Sequence, residues 1–284
     1  MTDRSRLFIS TEDLAARIDD PKLVILDASW YLPAMGRDGA AEYAAGRIPG
    51  ALRFDIDTIA DTSTGLPHML ASAEAFAKAV GALGIGDGSS IVVYDGMGLF
   101  AAPRVWWNLV VYGARDVRVL DGGLPKWKAE GRPIETGVPR TPTPATFTPT
   151  IDTGRIADLD AVVSVLASGA ATVVDARPAE RFRGEAPEPR PGLRGGHMPG
   201  AKSVPWMSVA TADGRLADDA TIRAALADVD LGRPIVTSCG SGTSAAVLWI
   251  ALEALGVPRA KLALYDGAWS EWGGLASTAV ATGP

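Results

Sequence analysis

Short apolar runs alternate with stretches of helical periodicity in the C-terminal half of the chain. Helices are predicted over 158–166, where the apolar residues share one face, and over 243–255. Apolar runs rich in β-branched residues predict strands at 173–175, 235–237 and 262–264. Strands that are separated by helices favour a parallel sheet with helices on both of its faces.

The N-terminal half shows the same alternation. Ser10 followed by Asp13 has the spacing of a capping box and predicts the start of a helix. The run 91–94, IVVY, is apolar on both sides, as expected for a strand whose sheet is covered on both faces. The predicted fold class is therefore α/β, and ligands are expected beyond the carboxyl ends of the strands.

Four sequence landmarks occur twice in the same order. The two members of each pair lie between 144 and 150 residues apart, and such a constant offset indicates a duplication. The pairs are 24–28 with 173–176, 48–51 with 198–201, 91–96 with 235–240, and 120–127 with 265–272. The offset and the chain length together predict two copies of one domain rather than a solenoid.

A segment rich in proline and threonine separates the two copies. Residues 131–154 contain five prolines and the run PRTPTPATFTPT, which favours an extended, poorly helical chain. We therefore expect a first domain at 1–135, a linker at 136–154 and a second domain at 155–284.

Composition and charge narrow the possible functions. The net charge of −6 over 284 residues disfavours nucleic acid binding, which needs clustered basic residues. A single cysteine cannot form an intramolecular disulfide, and one cysteine with two histidines disfavours a zinc site, so neither a metal nor another cofactor is expected. The N-terminus has no apolar signal region, and the longest apolar stretch, 245–252, is too short to span a bilayer. We expect a cytoplasmic protein that does not bind membranes.

The sharpest local signal is the loop 237–245, TSCGSGTSA, which follows a predicted strand and opens a predicted helix. Gly240 and Gly242 allow the backbone to curl so that several N–H groups point inward. Such a nest stabilises an anion together with the helix dipole, and a thiolate held there is more available as a nucleophile. This context favours a reactive Cys239 over a buried, inert cysteine. Asp95 occupies the matching place in the first copy and cannot carry sulfur, so we expect one working and one supporting copy.

The chain resembles the tandem rhodanese family, and within it the 3-mercaptopyruvate sulfurtransferases. The resemblance covers nearly the whole chain, and its motifs stand in family order. They are LDASWYLP, GRDGAAEY, IPGA, FDID, HML, APRVWW, LDGGLPKW, VVDARP, RFRGEAPEPR, GHMPGA, CGSG and YDGAWSEWG. The resemblance implies two tandem rhodanese-like domains, each a parallel sheet flanked by helices, with the active site between them and the nucleophile in the second.

The resemblance also implies roles for residues around Cys239. The substrate arginines of the family fall on Arg181 and Arg190, whose guanidinium groups suit the carboxylate of a keto acid. The family's proton-handling serine, histidine and aspartate fall on Ser241, His68 and Asp57. Because His68 and Asp57 belong to the first copy, they are expected to reach the cysteine across the domain interface.

The cysteine loop separates the subfamilies. Thiosulfate-using relatives carry basic residues directly after the cysteine, where this chain has Gly240 and Ser241. The usual continuation Val-Thr-Ala is replaced by Thr243-Ser244-Ala245, which adds hydroxyls beside the site. The loop residues expected to contact the donor are Gly240, Gly242, Thr243 and Ser244.

The expected function is transfer of sulfane sulfur from 3-mercaptopyruvate, through a persulfide on Cys239, to an acceptor thiol such as thioredoxin or to cyanide. One alternative is a thiosulfate:cyanide sulfurtransferase, and another is a persulfide carrier or sulfide sensor without turnover. A cysteine phosphatase is disfavoured, because it needs an arginine six residues after the cysteine, where this chain has Ala245.

Overall fold

Two five-stranded sheets form the framework of the computed structural model, which describes residues 4–284. The strands are β1 (Phe8–Ile9), β2 (Leu23–Asp27), β3 (Leu52–Arg53), β4 (Ser90–Tyr94), β5 (Asp116–Leu120), β6 (Ile156–Ala157), β7 (Thr172–Asp175), β8 (Lys202–Ser203), β9 (Ile235–Ser238) and β10 (Leu262–Tyr265). The first sheet has the order β1-β5-β4-β2-β3 and the second the order β6-β10-β9-β7-β8, with all paired strands parallel. The identical order confirms the predicted duplication and the α/β fold class.

Nine of the ten α-helices of residues 4–284 lie in the connections between strands, and the tenth follows the last strand. They are α1 (Thr11–Ala16), α2 (Gly39–Ala45), α3 (Ala73–Ala82), α4 (Ala102–Val111), α5 (Gly123–Ala129), α6 (Leu159–Ser168), α7 (Ala179–Arg183), α8 (Asp219–Ala225), α9 (Thr243–Ala254) and α10 (Ala268–Trp272). The Ser10 side chain accepts a hydrogen bond from the Asp13 N–H at 2.9 Å, which confirms the predicted start of α1. The helix predicted from 158 begins one residue later, because Asp158 is its N-cap and accepts from the Ala161 N–H.

Helices α4 and α9 form the contact between the two halves of the molecule. Every residue of α4 is buried, and so is every residue of α9 except Glu253. Trp107 of α4 meets Trp249 of α9 edge to face, with ring centroids 6.1 Å apart. One apolar core therefore runs through both halves, and a helix that is apolar all round, such as α9, lies at its centre.

The proline-rich segment packs against the first sheet's helices. Residues 139–152 contain no helix or strand, yet the Ala145 N–H donates to Gly81 O at 2.9 Å and the Thr150 N–H to Tyr112 O at 2.9 Å. Phe147 is buried and meets Phe76 edge to face. The segment is thus an ordered, extended connection that packs against the first half of the molecule. The domain boundaries at 135 and 155 stay predictions. No helix within residues 4–284 is both long enough and apolar enough to cross a membrane.

Candidate active site

Cys239 lies in a tight loop between the end of β9 and the start of α9. Its side chain is buried and forms no disulfide. Gly242, just before α9, has a φ of 80°, a conformation that favours glycine. The N–H groups of Ser241, Gly242 and Thr243 donate to no other residue in the described part of the chain. They therefore remain available to an anion beside the cysteine.

The start of α10 fixes the backbone of the cysteine loop. The Trp269 N–H donates to Cys239 O at 2.8 Å. Both the N–H and the hydroxyl of Ser270 donate to Gly240 O, at 3.0 and 2.6 Å. Because these donors hold both carbonyls, the position of Cys239 depends on the connection after β10 as well as on the connection after β9.

The first copy shows what such a loop binds. Asp95 follows β4 as Cys239 follows β9, and its carboxylate accepts four backbone N–H groups at 2.8 Å each. The four donors belong to Met97, Phe100, Ala101 and Ala102. In the first copy the nest of backbone N–H groups is therefore filled by the side chain of Asp95, the residue that matches Cys239.

A cleft in front of Cys239 is walled by both copies. Trp30, Leu32 and Phe100 line it from the first copy. Residues of the second copy that line it are Pro178, Arg181, Arg190, Trp206, Cys239, Gly240, Ser241, Thr243 and Ser244. Except for Gly242, all the predicted nucleophile, arginine and loop residues of the second copy thus face one space.

The two predicted substrate arginines differ in their partners. Arg181 donates to Glu188, a buried carboxylate that also holds the buried Arg177. Arg190 forms no hydrogen bond or ion pair with any residue of the described chain. Burial, opposed by the nearby Cys239 sulfur and reinforced by Arg181, lowers the pKa of Arg190. A partly buried cation without a partner is ready to receive a carboxylate.

His68 and Asp57 reach the cysteine loop from the first copy. His68 Nε2 lies 2.9 Å from Asp57 Oδ1, and Trp30 Nε1 donates to the other carboxylate oxygen at 3.0 Å. On the loop side, His68 Nδ1 lies 3.3 Å from Ser241 O and 3.2 Å from Thr243 Oγ1. The hydrogen bond from His68 lowers the pKa of Asp57, while burial lowers the pKa of His68 against the raising effect of Asp57.

A buried ion pair holds the His68 loop against the second copy. Arg104 of α4 donates to His68 O at 2.6 Å and to Asp266 Oδ1, at the end of β10, at 2.5 Å. The other oxygen of Asp266 accepts from the Leu70 N–H at 2.8 Å. His68 itself has a φ of 62°, which is uncommon for a residue other than glycine. The surrounding contacts therefore impose the conformation that points His68 at the loop.

The structure brings all four predicted catalytic residues to one end of the interface, with one difference in their contacts. Ser241 meets His68 through its carbonyl oxygen, and the hydroxyl that lies next to His68 is that of Thr243. Gly242 packs against Arg104 instead of lining the cleft.

Sequence reasoning missed the supporting residues Trp30, Arg104 and Glu188. Arg104 carries a detectable signal, because it is the single charge in an apolar helical stretch, AAPRVWWNLVVY, and must therefore be paired when buried. Nothing in the local sequence marks Trp30 or Glu188. No cluster of three or more potential metal ligands is present within residues 4–284.

Comparison with known proteins gives matches along most of the chain. A family model described as rhodanese-like domain matches residues 10–130 and 158–275. The 3-mercaptopyruvate sulfurtransferase of Escherichia coli K12 is 41% identical over 276 residues, which cover 96% of this chain and 97% of that protein. The mitochondrial thiosulfate/3-mercaptopyruvate sulfurtransferase 1 of Arabidopsis thaliana is 40% identical over 286 residues, covering 93% and 75%.

A solved structure agrees with these matches. The crystal structure of SseA from Escherichia coli, described as a 3-mercaptopyruvate sulfotransferase with the rhodanese fold, has a TM-score of 0.84 and 39% identity. The alignment covers 93% of this chain and 99% of SseA. The likeness therefore extends over both sheets and the interface between them.

Proposed function

The chain belongs to the rhodanese-like family, and from this membership we propose that it is a 3-mercaptopyruvate sulfurtransferase. The enzyme takes sulfur from the donor onto Cys239 and passes it to an acceptor. The observation that carries the proposal is the placement of the only thiol of the chain in a strand-to-helix loop, facing a cleft that also holds two arginines.

The first half-reaction forms a persulfide. The Cys239 thiolate attacks the sulfur of 3-mercaptopyruvate, an S–S bond forms, and the carbon–sulfur bond breaks with its electron pair moving into the enolate of pyruvate. The enolate then gains a proton and leaves as pyruvate. Arg190, with Arg181 beside it, binds the donor's carboxylate and so directs the sulfur toward the nucleophile.

Proton delivery to the enolate is assigned to His68 and Asp57 together with a hydroxyl of the cysteine loop, which the family resemblance places on Ser241. The Asp57 carboxylate orients the imidazole and stabilises its protonated form, as a carboxylate does for a catalytic histidine. The first copy contributes two of these three residues, which gives a reason for a second copy that lacks a nucleophile.

The second half-reaction restores the enzyme. A thiolate of the acceptor attacks the outer sulfur of the persulfide, and the S–S bond to Cys239 breaks with its electron pair returning to the Cys239 sulfur. A reduced thioredoxin, a small thiol or cyanide can take this role, and we place the reaction in the cytoplasm. No metal or cofactor enters either half-reaction.

Thiosulfate is the second candidate donor, and two observations favour it. The adjacent guanidinium groups of Arg181 and Arg190 also suit a dianion, and the Arabidopsis relative is named for both donors. The uncharged Gly240 and Ser241 argue for 3-mercaptopyruvate, because no cation of the loop itself can balance a second negative charge.

A donor-swap assay with mass spectrometry of the intact protein tests the proposal. We expect a higher kcat/KM for 3-mercaptopyruvate than for thiosulfate by about a hundredfold, which corresponds to roughly 2.7 kcal/mol of transition-state discrimination. Treatment with the donor should add one sulfur to the wild type and none to Cys239→Ser, which should remain folded but inactive. A preference for thiosulfate would promote the second candidate, and full turnover by Cys239→Ser would contradict a persulfide mechanism. A persulfide that forms without steady turnover would indicate a carrier.

A further inference from the structure

The two ring nitrogens of His68 differ in their partners: Nε2 faces a carboxylate, and Nδ1 faces the cysteine loop. Nε2 faces Asp57 Oδ1 at 2.9 Å, and a carboxylate can only accept, so Nε2 carries the proton of the neutral ring. Nδ1 then presents a lone pair toward the cysteine loop. Ser241 O, 3.3 Å away, is also only an acceptor and cannot satisfy that lone pair.

Among the residues that the structure describes, only Thr243 places a group that can donate, its hydroxyl, in contact with Nδ1. Thr243 Oγ1 lies 3.2 Å from Nδ1 and has no other hydrogen-bond partner within residues 4–284. Thr243 also lines the cleft in front of Cys239, whereas the Ser241 hydroxyl has no partner among the described residues. We propose that Thr243, rather than Ser241, is the hydroxyl that donates a hydrogen bond to His68 Nδ1 and connects the imidazole with the cleft.

This arrangement moves a proton without leaving a charge on the hydroxyl. A proton from a thiol in the cleft binds to a lone pair of Thr243 Oγ1, while the hydroxyl's own proton passes to His68 Nδ1. The imidazolium that forms faces the Asp57 carboxylate, and the reverse movement returns the proton to the pyruvate enolate. This proton movement rests on the proposed function, whereas the hydrogen bond from Thr243 to His68 does not.

The surroundings of His68 favour the neutral ring as the resting state. Burial, with smaller contributions from Arg104 and Arg190, lowers the pKa of His68, and Asp57 opposes them. These are the charged groups that face the ring from α4, from the segment before β8 and from the segment after β3. A donor at Nδ1 stabilises the neutral form further, so its loss should raise the pKa of His68.

Two histidines in the chain make a direct test possible by NMR of protein labelled with ¹⁵N-histidine. His197 Nδ1 lies 2.9 Å from Phe182 O and must carry its proton there, so the two rings should show opposite tautomers. His68→Gln identifies the signals of His68. In Thr243→Val, the ¹⁵N chemical shift of His68 Nδ1 should move to the value of an unprotonated ring nitrogen that accepts no hydrogen bond. The pH midpoint of the His68 titration should rise.

Matched variants complete the experiment. Thr243→Ser should retain the wild-type signals, and Ser241→Ala should leave the His68 tautomer and midpoint unchanged. With 3-mercaptopyruvate, Thr243→Val should lower kcat by about tenfold or more, within the range of general acid–base contributions, with little change in KM. Signals that move in Ser241→Ala and not in Thr243→Val would overturn the proposal. The expected signals in a protein without transferase activity would support the Thr243 hydrogen bond and overturn the proposed function.

Discussion

At the scale of single residues, Arg181 and Arg190 line the same cleft but differ in whether an acidic side chain already pairs with them. Glu188 already holds one nitrogen of Arg181, and a side chain added at Gly240 would meet Arg181 Nη2 at 3.1 Å. Arg190 has no partner in the described chain, and its charge is partly buried. We therefore assign the main carboxylate contact to Arg190 and a supporting contact to Arg181.

Replacement of each arginine by alanine separates these assignments. Arg190→Ala should raise KM for 3-mercaptopyruvate by about tenfold or more, since a hydrogen bond to a charged group contributes roughly 1.5–3 kcal/mol. Arg181→Ala should also lower the free energy of unfolding, because buried Glu188 loses one of its two cationic partners. Steady-state kinetics and urea unfolding measure both effects.

Arg183 provides the control for these variants. It lies between the two arginines in sequence but pairs with the exposed Glu185. Arg183→Ala should therefore retain wild-type kinetics and stability. If Arg190→Ala kept a normal KM, the donor's carboxylate would have to bind elsewhere, and the assignment of the cleft would be wrong.

At the scale of elements, the cysteine loop uses two glycines for different reasons. Gly242 has a positive φ, and a Cβ built on it would lie 2.3 Å from Arg104 Nη1. Gly240 has no positive φ, and its nearest neighbour is the flexible end of Arg181. Gly242 is therefore required for the contact between the copies, whereas Gly240 leaves room for Arg181 and Arg190, the predicted substrate arginines.

Alanine at the two positions should have different consequences. Gly242→Ala should lower the free energy of unfolding by about 1–3 kcal/mol, the range for a strained backbone conformation, and reduce kcat by displacing Arg104 and with it His68. Gly240→Ala should leave stability unchanged and raise KM modestly. Urea unfolding and donor kinetics on both variants test this, and equal stability of the two variants would contradict the role of Gly242.

At the scale of the whole molecule, two ion pairs join the copies in different environments. Arg104 and Asp266 are both buried and hold the His68 loop. Arg4 and Asp219 also pair across the interface, at 2.6 Å, but they are partly exposed and form no hydrogen bond with the His68 loop. Removal of one partner from a buried pair leaves an uncompensated charge, whereas an exposed pair contributes little.

Asp266→Ala should therefore cost about 3–5 kcal/mol of unfolding free energy, the range for breaking a buried pair. It should also lower kcat, because Leu70 and Arg104 lose the carboxylate that positions the His68 loop. Asp219→Ala is the control and should cost at most about 1 kcal/mol with unchanged kinetics. Chemical unfolding and steady-state kinetics measure the free energy of unfolding and kcat of both variants. Similar losses of stability and kcat in the two variants would show that the buried pair does not organise the site.

The sequence by itself determined the repeated α/β framework, and it predicted Cys239 as the nucleophile. Both follow from local patterns, since strand and helix periodicity, the capping residue Ser10 and the loop around Cys239 depend on residues close in the chain. The family resemblance added His68, Asp57 and the two arginines as candidates, and their catalytic roles stay predictions.

Only the tertiary structure decided which of these groups touch and what holds them. Arg104 meets Asp266, and Thr243 meets His68, across an interface between segments far apart in sequence. No local periodicity records such contacts, because they depend on how α4 and α9 bury their apolar surfaces against each other. The buried core fixes the two copies, and that fixed geometry places the Thr243 hydroxyl, rather than that of Ser241, beside the imidazole.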